Sequence, residues 1–377
     1  MQPSPGQFPR TARFPAGPAG QPSPVLIERY ADTFDLENGG GIEVACFHLG
    51  RALEDAGVGV RWYTRGDWTT ADEFESLVVT SGASMVLPLV DSPVFARAAG
   101  ALAPDLRRRI VRLWHDVSLL APPTRPLPIC PRHGAAGGAE AACTAAAASP
   151  DGYAANVFFF DDAWTRCFSR RRYIPWAVDH LPVADHRSPD GPVVLLVGKM
   201  RTEYAQAILD DCERSGVAVR VIFSNWSMLG QQSRLMVLAR PQRAGLDIVD
   251  HYDLTQDHAR VFGGASAALV LSQYRETFNF LAAEAVHFGI PVVAFAGSGG
   301  TLRFASAVLA SVKQVIDLLR SGAHARLAPI ERPAWGWADV AAAYAGLARD
   351  VRRGWDGGGS VRHARRADQS CMAKETG

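Results

Sequence analysis

Val193-Val194-Leu195-Leu196-Val197-Gly198 is a run of five apolar residues closed by a glycine. Such a run is too short for a buried helix and lacks the alternation of a half-solvated strand, so it reads as a strand covered on both faces, as in a parallel sheet. A helical stretch from about Glu203 to Ser215 and a second strand from Val217 to Phe223 complete one strand–helix–strand unit. The alternation continues with Asp247-Ile248-Val249, a helix near Asp257 to Gly263, a strand Ala268 to Leu271, a helix Asn279 to Phe288 and a strand Pro291 to Phe295.

Working back from this series, Ser188-Pro189-Asp190-Gly191-Pro192 is a breaker cluster, and a first alternating series precedes it. Val25-Leu26-Ile27 is a buried strand and Glu37 to Gly41 a Gly-rich turn. Ile42, Ala45, Cys46, Leu49, Ala52 and Leu53 then follow helical spacing, and Val58 to Tyr63 is the next strand. Less regular repeats run through Met85 to Leu89, a helix from about Ser92 to Leu102, a strand Ile110 to Trp114 and a strand Val157 to Phe160. Two serial halves of this kind predict an α/β protein with two doubly wound, Rossmann-like domains whose strand ends face a central cleft. The expected organisation is a disordered Pro-rich lead-in over 1–23, a first domain over 24–180 with a flexible Ala- and Gly-rich loop at 121–152, and a second domain over 189–335. A last helix over 336–353 and a disordered tail over 354–377 complete it.

The 377 residues suit two ordinary domains, and 48% hydrophobic with 20% charged residues is a globular balance. A net charge of +1 gives no general attraction to nucleic acid or to an anionic membrane. Arg171-Arg172 is the place for a local basic patch, with a solvated turn before a strand as its plainer reading. The six cysteines have no CxxC spacing and read as reduced thiols; Cys130, His133 and Cys143 lack a fourth ligand for zinc. With prolines in place of an apolar leader and no apolar run of the ~20 residues that a membrane helix needs, a cytoplasmic protein without an integral membrane segment is expected.

The chemistry should sit in Glu276-Thr277-Phe278-Asn279-Phe280-Leu281-Ala282-Ala283-Glu284, followed by His287-Phe288-Gly289-Ile290-Pro291-Val292-Val293. Two carboxylates eight positions apart span a loop and the first turns of a helix. The unpaired amides of a helix start attract phosphate, and ionised carboxylates accept from neighbouring sugar hydroxyls. Alone, this spacing also describes an ordinary surface helix.

This passage resembles the Glu-x7-Glu segment of the retaining glycosyltransferase family called group 1 or family 4, matching at Ser272, Glu276, Phe278, Glu284, Ala285, Gly289, Pro291, Val292 and Val293, with Gly299-Gly300 after the next strand. The resemblance reaches both halves. Gly39-Gly40-Gly41-Ile42-Glu43 is similar to the family's Gly-rich turn, Ile174-Pro175-Trp176-Ala177-Val178-Asp179 to its domain-junction segment, His115-Asp116 to the site of its active-site histidine, and Trp337 with the helix after it to its closing segment. It implies the GT-B fold and transfer of a sugar from a nucleotide-sugar donor to a hydroxyl acceptor, with retention of configuration. Glu284 would hold the donor ribose and Glu276 the transferred sugar, with His115 as the second catalytic candidate. Gly40 and Gly41 would approach the donor phosphate or the acceptor, and the amides of Thr277, Phe278, Asn279 and Phe280 the sugar and diphosphate. Where the family has an Arg and a following Lys as a diphosphate clamp, this chain has Gly198-Lys199-Met200-Arg201-Thr202-Glu203-Tyr204, so Lys199 and Arg201 would supply the charges. Asn279 stands where the family has a glycine.

No Asp-x-Asp motif stands where it could hold a metal, since Asp161-Asp162 and Asp210-Asp211 are adjacent pairs. No metal and no cofactor are therefore expected, the nucleotide sugar being a substrate. The acceptor, a small molecule or a glycan, is left open; its contacts should come from first-domain loops such as Thr64 to Thr70 and Ala121 to Gly152. Alternatives on the same scaffold are a nucleotide-sugar epimerase, a pseudo-glycosyltransferase, and a non-catalytic nucleotide-sugar-binding partner.

Overall fold

The computed structural model describes residues 11–13, 25–29, 33–35, 41–88, 93–114, 155–158, 171–223, 228–241, 243–249, 257–273 and 278–353. In chain order the strands are β1 Thr11–Arg13, β2 Val25–Glu28, β3 Thr33–Asp35, β4 Val60–Tyr63, β5 Met85–Leu87, β6 Val111–Trp114, β7 Ala155–Phe158, β8 Arg171–Tyr173, β9 Val193–Val197, β10 Val219–Phe223, β11 Leu246–Val249, β12 Ala267–Val270, β13 Val292–Phe295 and β14 Ala305–Leu309. The helices are α1 Gly41–Asp55, α2 Ala71–Ser81, α3 Pro93–Ala101, α4 Pro104–Arg107, α5 Thr202–Ser215, α6 Met228–Leu238, α7 His258–Phe262, α8 Phe280–His287, α9 Val312–Arg320 and α10 Trp337–Arg352.

The carboxyl-terminal half is one six-stranded sheet in the order β11-β10-β9-β12-β13-β14, every neighbouring pair parallel. Successive side chains of a strand point to opposite faces. In β9, Val194 and Leu196 accordingly join one core with α8, while Val193, Leu195 and Val197 join the other with α5 and α9. The amino-terminal half has parallel sheets β4-β2-β5 and β6-β7-β8, linked by the parallel bridge Val86–Ile110. There Val25 and Ile27 face α1 and α10, and Leu26 faces the cluster of Phe74, Val78 and Phe95. Both halves are thus parallel sheets with helices on their faces.

Several expectations are revised. Thr11–Arg13, inside the stretch expected to be a disordered lead-in, pairs antiparallel with Thr33–Asp35. Arg171-Arg172 lies in β8, paired with Asn156 and Val157, so backbone pairing replaces the solvated turn. The sequence reading assigned no element to α2, α6, β14 or α9. Both α2 and α9 carry start signals: Thr70 accepts from the Glu73 amide in a capping box, and Ser311 accepts from the Gln314 amide. Thr70 thus caps α2 and Trp68 is buried, both within the loop expected to touch the acceptor. The expected loop 121–152, the Cys130–His133–Cys143 trio and the tail 354–377 lie outside the described residues. Among the described residues no helix is long and apolar enough to cross a membrane, and no cluster of metal-binding side chains occurs.

The halves are joined by more than the connecting chain. The α10 residues Trp337, Val340, Ala341, Tyr344, Leu347 and Val351 recur at helical spacing and are buried with α1 in the amino-terminal core. A Cβ on Gly336, just before this helix, would come within 2.4 Å of Asp179 Oδ2 and would require that carboxylate to move. The Asp179 carboxylate instead accepts from the Trp337 amide at 2.9 Å.

Candidate active site

In the order β11-β10-β9-β12-β13-β14, chain direction across the sheet reverses between β9 and β12, which leaves a crevice at their carboxyl ends. The residues that end these two strands are held together. Gly198 leaves β9 with φ of 101°, a left-handed conformation that glycine adopts without strain. The turn then brings the Lys199 carbonyl to 2.9 Å from the Gln273 amide, and the Arg201 amide donates to Gln273 Oε1 at 2.7 Å. Met200 between them is fully buried. On the far side, buried Ser298 donates from Oγ to the Ser272 carbonyl at 2.7 Å, tying the end of β13 to the end of β12. Lys199 and Arg201 therefore stand at the switch point, with Arg201 as the residue preceding α5. Its guanidinium is 3.6 Å from Glu203 and lies over the Tyr204 ring, 5.9 Å from the centroid. Arg201 contributes no side-chain cap to α5, and its carbonyl accepts from the Tyr204 and Ala205 amides at 3.0 and 3.2 Å.

The second wall is the start of α8. Asn279 is buried and extended, with φ of −117° and ψ of 108°, so its backbone does not demand glycine. Its side chain accepts from the Ala282 amide at 2.9 Å, a helix cap. Asn279→Ala should lower folding stability by about 1 kcal/mol, and Asn279→Gly by less, read from the midpoint of urea denaturation. Phe280 begins the helix and Glu284 follows one turn later on the same face. Glu284 is buried, and burial raises its carboxyl from 4.5 to about 7. Phe280 also meets the amino-terminal half: a Cβ on Gly41 would lie 3.0 Å from Phe280 Cδ2, so the glycine allows the starts of α1 and α8 to approach closely. Phe278 packs edge-on against Phe280 and Phe304, at 4.9 and 5.3 Å between centroids, completing an apolar floor.

Of the residues named from sequence, Gly41, Lys199, Arg201, Phe278, Asn279, Phe280 and Glu284 belong to these two walls, at the ends of β9 and β12 and at the facing helix starts. Gly40, His115, Glu276 and Thr277 lie outside the described residues. Gln273 and Ser298 were not named. Gln273 is the neighbour of the matched Ser272, but its partner is 72 positions away and no spacing reveals it. Chemically, cationic side chains and helix starts suit an anion, and a carboxylate such as that of Glu284 suits hydroxyls.

No family model matches the chain. UDP-GlcNAc:ribostamycin N-acetylglucosaminyltransferase of Streptomyces fradiae is 43% identical over 340 residues, which is 88% of this chain and 92% of that protein. Among solved structures, AviGT4, a glycosyltransferase involved in avilamycin A biosynthesis, aligns with a TM-score of 0.50 at 14% identity over 88% of this chain and 98% of that one. Anabaena Alr3699/HepE, in complex with UDP and glucose, aligns with a TM-score of 0.51 at 14% identity over 92% of this chain and 99% of that one. These two likenesses bear on the fold. With the parallel sheets described above they make it GT-B, and by its identity to the Streptomyces protein across both halves the chain is an enzyme that belongs to the glycosyltransferase family of that transferase.

Proposed function

We propose that this enzyme transfers N-acetylglucosamine from UDP-GlcNAc to a hydroxyl of an aminoglycoside acceptor of the ribostamycin type, with retention of configuration and without a metal. The observation that carries the reading is 43% identity across both the donor and acceptor halves to a transferase of that specificity. The resemblance to family 4 supports retention.

In this reading the Glu284 carboxylate accepts from the ribose hydroxyls, and Glu276 contacts the transferred sugar. Lys199, Arg201 and the starts of α5 and α8 neutralise charge that grows on the diphosphate as the bond from the sugar C1 to the phosphate oxygen breaks. The acceptor oxygen bonds to C1 on the face that the diphosphate leaves, and its proton passes to the departing phosphate; His115 is the side chain offered to the reacting sugar. Closure of the halves around Gly41 and Phe280 would exclude water from the donor. Asp210 and Asp211, the acidic pair nearest in sequence to this site, sit near the opposite end of α5. There Asp210 pairs with Arg240, and Asp211 pairs with Arg320 and Arg214, which supports metal independence.

The test is to incubate the enzyme with UDP-GlcNAc and ribostamycin, with and without EDTA, and to analyse the product by mass and by anomeric coupling. A product one N-acetylhexosamine heavier, with the donor's configuration and the same yield in EDTA, is the expected result. Transfer from GDP-, ADP- or TDP-sugars in preference would overturn the donor assignment, and loss of activity in EDTA would overturn metal independence.

A further inference from the structure

We propose that Gln273 is a positioning residue for the donor diphosphate: its carboxamide holds the Lys199–Arg201 turn, and with it the start of α5, in the geometry that receives the phosphates. The inference rests on the nucleotide-sugar reading of the site. Gln273 is bonded to both ends of the turn, through its amide to the Lys199 carbonyl at 2.9 Å and through Oε1 to the Arg201 amide at 2.7 Å. Met200, in the middle, is locked in the core, so the three-residue turn is fixed at each position. The residue before Gln273 is held in turn by Ser298, making a chain of contacts across the ends of β13, β12 and β9.

Gln273 itself is exposed and belongs to none of the hydrophobic cores. Its side chain reaches across the switch point to the Arg201 amide. Long flexible cations such as Lys199 and Arg201 bind phosphate well only when their own backbone is preorganised, because otherwise binding must order the turn as well as the side chains. Losing the Oε1 acceptor frees the Arg201 amide and the entry to α5, so the penalty falls on ligands that carry phosphate.

The experiment compares wild type, Gln273→Met and Gln273→Glu by calorimetric titration with UDP, by competition with uridine, and by thermal melting. Methionine keeps the length and removes the acceptor. It should weaken UDP about tenfold, as expected for one lost hydrogen bond, and leave uridine affinity and the melting temperature close to those of wild type. Glutamate keeps an acceptor for Arg201 but adds charge beside the phosphates, so its UDP deficit relative to wild type should shrink with added salt, whereas that of methionine persists. Wild-type UDP affinity in Gln273→Met, or an equal loss for uridine and UDP, overturns the positioning role while leaving the donor site standing. Failure of the wild type to bind UDP overturns the nucleotide-sugar reading, and this inference with it.

Discussion

Glu284→Ala should weaken UDP binding about a hundredfold or more, since two hydroxyls lose an ionised acceptor in a buried site. Glu284→Gln should be almost as damaging to binding, and this variant separates function from stability. Burial holds the wild-type carboxyl at about 7, above its ordinary 4.5. The folded protein without ligand therefore favours the neutral acid, and the associated stability is complete below about pH 4.5 and is lost as pH rises through 7. Above that point the ionised, desolvated carboxylate destabilises the unliganded fold by an order-of-magnitude figure of about 1–3 kcal/mol. Glu284→Gln removes that penalty, so at pH 8 it should melt above wild type, while at pH 5 the two should melt alike. The ionised form accepts from two hydroxyls more strongly than the neutral acid, so wild-type UDP affinity should fall as pH drops below 7, by at most about tenfold per pH unit. A pH-independent affinity, or a glutamine variant that binds UDP normally, would remove Glu284 from the donor site.

Trp337→Ala is expected to be the most destabilising substitution at the junction, by about 3–5 kcal/mol. The ring is 5.3 Å from His48 of α1 and 5.9 Å from Trp176 of the junction segment, centroid to centroid. Its Nε1 donates to His180 Nδ1 at 3.1 Å, while His180 stacks on His48 at 3.9 Å. Burial depresses both imidazoles, so they stack uncharged. Removing the indole thus opens a cavity shared by α1, the junction and α10, and leaves His180 without its donor. Trp337→Phe keeps most of the packing and loses the hydrogen bond, so its cost should be nearer 1 kcal/mol. Urea denaturation followed at several wavelengths measures both, and a cost below 1 kcal/mol for the alanine variant would mean that this ring does not anchor α10.

The elements that the sequence revealed are those whose signal is local. β9 is an unbroken apolar run because both of its faces are covered, and α1 shows its buried stripe at spacings of three and four. β14 has no such mark: its residues are partly buried or exposed at the sheet edge, so no sharp pattern is imposed on Ala305–Leu309. α2 and α9 were not read from the sequence, although Thr70 with Glu73 and Ser311 mark their starts as caps. In the site, Glu284 stood out by its spacing from Glu276 and by the residues around it. Asn279, which stands where the family of resemblance has a glycine, has a local purpose as the cap of α8.

By itself, then, the sequence determined the alternation of buried strands and helices, the two serial halves and the carboxylate on α8, because periodicity and helix-start chemistry are set within a few residues of each position. Only the tertiary structure decided that β9 and β12 are neighbours, that Gln273 reaches the amide of Arg201, that Phe280 meets Gly41, and that Glu284 is buried deeply enough to titrate near neutrality. Each of these joins residues far apart in the chain, and desolvation and cross-strand hydrogen bonding exist only once the sheet has brought them together.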